Sequence, residues 1–86
     1  MNTHNIDPRK IAGVVHEINL ALATKGFNAV EVMIGLSEML GRSIVEHGGT
    51  PVQGAELAKV CADHLERTLQ AGYSAKGWNF QPEGNQ

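Results

Sequence analysis

Apolar residues recur at spacings of three and four in three blocks of this chain, and each block is framed by residues that start and stop helices. The first block holds Ile11, Val14, Val15, Ile18 and Leu22 behind Asp7-Pro8. The aspartate carboxylate accepts from orphan amides of the first turn, and a proline at the first helical position has no amide to leave unpaired. Lys25 and Gly26 close the block with a cation at the negative end of the dipole and a residue free to take positive φ. These signals predict a first helix over about residues 8–25.

The second block opens on Asn28, with Glu31 three positions later to reach back to the cap amide, and with Phe27 ahead of the cap to pack on Val32. It runs to His47 and meets Gly48-Gly49, which predicts a helix over 29–47. Thr50-Pro51-Val52-Gln53 repeats the same grammar, and the third helix is predicted over 51–71 with its stop at Gly72. No useful stretch alternates with period two, so no sheet is expected. Short connections between helices of similar length favour antiparallel neighbours. The expected fold is therefore all-α, a three-helix up-down-up bundle in residues 1–72, followed by an irregular aromatic C-terminal tail in 73–86 whose residues 81–86 are expected to be disordered.

The helix faces say more than the helix positions. At roughly 100° per residue, the second helix gathers Glu31, Gly35, Glu38, Arg42 and Glu46 on one narrow arc. The remaining circumference is apolar, interrupted only by Ser37, Gly41, Ser43 and His47. An ordinary amphipathic helix needs a stripe a little over about 100° wide, and this one is roughly twice that. The first helix looks one-sided, with Leu20 alone opposite its apolar arc. So does the third, whose outer face carries Asp63 and Arg67 at a favourable i,i+4 spacing. The surplus apolar surface is thus assigned to the middle helix. An isologous homodimer through Met33, Ile34, Ser37, Leu40, Gly41 and Ile44 is the expected way to cover it, with small residues at Ser37 and Gly41 letting two backbones approach.

Composition narrows the function classes. With 86 residues, 42% of them apolar, the chain has room for one small core that is marginal on its own. Seven basic and nine acidic side chains give a net charge of −2, spread without a basic stripe, so nucleic-acid binding is not expected. Membrane association is not expected either, because no apolar run approaches the roughly 20 residues that span a bilayer. A single cysteine and an N-terminus without a basic flank or hydrophobic segment predict a cytoplasmic chain.

Candidate chemistry is sparse. His64 is the first residue to consider, because the wheel sets it between Leu57 and Val60 on the face expected to point inward, where an imidazole serves as base, ligand or hydrogen-bond partner of Thr68. His16-Glu17, Glu46-His47 and Asp63-His64 place acidic residues beside histidines. Adjacent helical residues point about 100° apart, so no such pair closes on one ion by itself. Cys61 falls on the inner arc, and Ser37 and Ser43 lack a strand-turn-helix elbow, so no catalytic residue is assigned. Gly48-Gly49-Thr50-Pro51 lacks the lysine and glycine spacing of a phosphate loop and reads as a turn. Tyr73, Trp78 and Phe80 in the tail form a candidate partner-binding segment, Trp78 and Phe80 projecting to one side of an extended chain. Two functions follow. The leading one is a non-enzymatic homodimeric protein-interaction module without a cofactor. The alternative is a small-molecule or metal-binding helical protein, or an enzyme, using His64 at a helix or subunit interface.

Overall fold

A computed structural model describes residues 6–80 of the chain. Among these residues the protein is all-helical, with α1 over Pro8–Leu22, α2 over Ala29–His47 and α3 over Pro51–Ala75. No strand occurs among them. The tail end at 81–86, expected to be disordered, lies outside the described residues. The chain divides into two compact units, Met1–Ser43 and Ile44–Gln86.

All three helix starts form as the local chemistry dictates. Asp7 caps α1, its Oδ1 accepting from the Arg9 amide at 2.9 Å, with Pro8 at the first helical position. At α2 the capping box closes in both directions. The Glu31 amide donates to Asn28 Oδ1 at 2.8 Å and the Asn28 amide donates to Glu31 Oε1 at 2.9 Å. Thr50 and Gln53 repeat the exchange at α3, at 3.2 and 2.9 Å. Each box satisfies amides that would otherwise have no intrahelical partner.

The helix ends differ from expectation at two places. α1 stops at Leu22 instead of Lys25, and its last turn loosens into a bend in which the Lys25 amide still reaches the Leu22 carbonyl at 3.3 Å. α3 passes through Gly72 and continues to Ala75, so Tyr73 is helical and does not belong to an irregular tail. The reason is at the next glycine. Gly77 adopts φ +80, its amide donates to the Ser74 carbonyl at 3.0 Å, and the Trp78 amide donates to the Tyr73 carbonyl at 2.8 Å. This is a Schellman ending, which satisfies two carbonyls that a stop at Gly72 would leave to water.

The two glycines should therefore respond in opposite ways to the same substitution. Gly72→Ala places a methyl in open space within a helix interior and is expected to stabilise by about 1 kcal/mol. Gly77→Ala forces a side chain into the left-handed region and is expected to destabilise by about 1–2 kcal/mol. Urea unfolding followed by circular dichroism reads both.

The corner between α2 and α3 is the tightest place in the second unit. Gly48 is the one residue buried among those described, and its amide donates to the Ile44 carbonyl at 2.7 Å. A Cβ on Gly48 would sit 2.5 Å from that carbonyl oxygen and 3.2 Å from Leu57 Cδ1. Ile44 Cγ2 also lies 3.3 Å from where a Cβ on Gly54 would be. Glycine at 48 and 54 lets Ile44 and Leu57 close the turn, while Gly49 at φ +87 leaves room for the Gln53 side chain that completes the capping box.

Candidate interaction surface

No hydrophobic side chain among the described residues is buried. That departs from the expectation that the surplus apolar surface is confined to the middle helix. Val14, Val15 and Leu20 on α1 and Val52, Val60 and Leu65 on α3 are exposed as well. The wheel gives the width of an apolar arc but says nothing of whether neighbours cover it, and this is why α1 and α3 looked one-sided in the sequence.

α2 nonetheless has two distinct faces. On one side Val32, Leu36 and Met39, with Glu31 and Gly35, join Leu22 and Phe27 around an open groove of about 460 Å³. Phe27 stands before the Asn28 cap and Val32 one turn inside it, and both residues of the expected hydrophobic staple line this groove. On the side roughly opposite at 100° per residue lie Val30, Met33, Ile34, Leu40 and Val45, all exposed, with Met33 at 57% and Ile34 at 63%. Ser37 and Gly41 lie among them. The Ser37 hydroxyl donates to the Met33 carbonyl at 3.1 Å, so it brings no unpaired donor to that face. Gly41 has nothing within 4 Å of where a Cβ would point. Glu38 borders the face and is joined to Arg42, which lies farther round between Glu31 and Gly35, by an i,i+4 ion pair at 2.5 Å. Ile44, the last of the six residues assigned to the interface from sequence, is half-buried in the α2–α3 corner.

His64 is exposed, where the wheel had placed it inward, and the flanking Val60 and Leu65 are exposed with it. The helix face carrying them is not covered. Thr68 does partner this residue, though through the backbone: its Oγ1 donates to the His64 carbonyl at 2.9 Å, a bond internal to the helix that leaves the imidazole unengaged by it. Cys61 is half-buried. Asp63 and Arg67 do not form the ion pair that their spacing allows; the pairs among the described residues are Arg9 with Asp7 and Arg42 with Glu38. Among the described residues, no three of His, Cys, Asp and Glu gather as metal ligands would. No helix among them is long and apolar enough to cross a membrane.

In the C-terminal aromatic segment, the Phe80 ring stacks on Tyr73, centroids 5.6 Å apart and planes at 12°, and Phe80 is half-buried. Phe80 thus turns back onto α3 and does not stand beside Trp78 as an extended segment would place it. Trp78 is left 67% exposed directly after the Schellman turn. Sequence reasoning missed the stack and the Ile44–Gly48–Leu57 corner. The corner had a signal in Gly48 and Gly54 flanking the Thr50-Pro51 helix start, and the stack had none beyond two aromatics seven residues apart.

No protein-family model, no curated protein and no solved structure matches this chain.

Proposed function

We propose that the protein is a self-associating helical module acting through protein contacts, two copies pairing through the exposed α2 face of Met33, Ile34, Ser37, Leu40 and Gly41. One observation carries this reading: three well-capped helices form without a single buried hydrophobic side chain among the described residues. Ordering the backbone costs about 1–2 kcal/mol per residue, and isolated helices of this length are marginal in water. Capping boxes offset only about 1 kcal/mol each. The apolar burial that normally balances the account is missing among the described residues, and a second copy is the commonest source of cover. The α2 face suits such a contact because its one hydroxyl is already satisfied and its glycine is open. Exposed Trp78, anchored by the turn at Gly77, supplies a second point of contact for a protein partner. The alternative reading through His64 draws no support from an exposed imidazole on an uncovered helix face.

Light scattering at tens of micromolar tests the proposal. The expected particle has twice the 9.2 kDa of one chain. Because folding and pairing are then linked, the unfolding midpoint should also rise with protein concentration. A single-chain particle with a concentration-independent midpoint overturns the reading.

A further inference from the structure

We infer that the groove along α2 is a binding site for a small amphiphilic amine, whose flat apolar body lies against Phe27 and Met39 and whose protonated nitrogen meets Glu31. The site is separate from the pairing face and adds a small-molecule activity to the protein contacts proposed above.

Size and lining carry the first half. The groove offers about 460 Å³. That falls within the roughly 300–1,000 Å³ of small-molecule sites, which combine apolar walls with few polar groups. Leu22 and Val32, the half-buried members of its lining, give it depth, while Phe27 and Met39 are exposed. An aromatic ring and a thioether both make favourable contacts with a flat aromatic body. The groove lies on the side of α2 roughly opposite Met33 and Ile34, so pairing through that face does not use it.

Charge complementarity carries the second half. Glu31 is the single ionisable residue in the groove lining. Its Oε1 accepts from the Asn28 amide, whereas Oε2 takes no hydrogen bond among the described residues. Neither ion pair among them includes Glu31. A carboxylate with an unspent oxygen beside an apolar surface favours a cation over a neutral ligand of the same shape.

Gly35 joins the two halves. Glu31, Gly35 and Met39 are spaced by four, so they form one ridge of α2 with a notch at its centre. A helix interior disfavours glycine. Gly35 has no positive φ, and nothing lies within 4 Å of where a Cβ would point. Packing therefore does not demand glycine there, and its missing side chain keeps the path from Glu31 to Met39 clear.

Titration calorimetry with naphthylmethylamine tests the site, with naphthylmethanol as the neutral match. At neutral pH the amine should bind about fivefold more tightly than the alcohol. Glu31→Gln keeps the capping box, since glutamine serves equally at that position, and should lower the amine to the affinity of the alcohol. Gly35→Leu fills the notch and should weaken both probes at least ~10-fold, while helicity by circular dichroism holds or rises. Gly35 lies about 160° round the helix from the centre of the pairing face, so this variant should keep the particle size of the unaltered chain. Equal binding of amine and alcohol to the unaltered chain, or an amine preference that survives Glu31→Gln, overturns the recognition by charge. Undiminished binding to Gly35→Leu, or no binding of either probe at ~1 mM, overturns the groove as the site. Light scattering reads the pairing separately, so a failure of the ligand site and a failure of self-association are told apart.

Discussion

Replacing Ile34 by aspartate is expected to separate the pair into single chains, raising Kd by at least ~100-fold. Ile34 is 63% exposed in one chain, so a carboxylate there meets water and costs the lone helix little. In the pair it loses the about 1.5–3 kcal/mol that burying an isoleucine side chain contributes, and it adds an unpaired charge to an apolar contact. Two-fold symmetry imposes both penalties twice. Each 1.4 kcal/mol is about tenfold in Kd, so even the lower end of this range exceeds a hundredfold. Leu20→Asp is the control: it makes a closely similar change at a residue 59% exposed on α1, and association should persist. Sedimentation velocity across a dilution series measures both. The helicity of Ile34→Asp should match that of the unaltered chain diluted below its own Kd, because the substitution acts on pairing and not on the helix. If Leu20→Asp weakens association equally, the contact is diffuse apolar adhesion and not a face of α2.

The helix starts were legible because a cap is settled within four residues. Asp7-Pro8, Asn28 with Glu31, and Thr50-Pro51 with Gln53 make their bonds whatever the rest of the chain does. Helix ends were less legible, since a glycine stops a helix only if the residues after it can complete a competing turn. Gly72 is followed by Tyr73-Ser74-Ala75, which continue the helix, whereas Gly77 is followed by Trp78, whose amide returns to Tyr73. The faces were hardest to read. A wheel orders Val60, His64 and Leu65 on α3 by angle, but exposure depends on what lies across from them, and that is not a local property. The α2 face combines both kinds of information. Its apolar breadth is visible in the spacing, while the split into a grooved side at Val32, Leu36 and Met39 and an open side at Met33 and Ile34 required the position of Phe27 and Leu22.

Gly48→Ala is expected to destabilise the fold by about 2 kcal/mol, through overpacking. For a domain of this size that corresponds to roughly 10 °C in Tm. The added methyl would sit 2.5 Å from the Ile44 carbonyl oxygen, a backbone atom that moves only by disturbing the last turn of α2. Leu57 Cδ1 at 3.2 Å and Ile44 Cγ2 at 3.3 Å close the other sides. Relief would have to come from lengthening the bond from the Gly48 amide to Ile44, now 2.7 Å, or from lifting α3 off the corner. Gly13→Ala gives the contrasting case, because nothing lies within 4 Å of its added methyl and its helical site favours alanine by about 1 kcal/mol. Thermal unfolding at one fixed concentration compares the two, since a midpoint linked to pairing shifts with concentration. Gly48→Ala should also leave the particle size in light scattering unchanged, because the corner and the Met33–Gly41 stretch of the α2 face lie on different stretches of the helix. A loss of Tm at Gly48 with intact pairing would separate what holds the second unit together from what joins two chains.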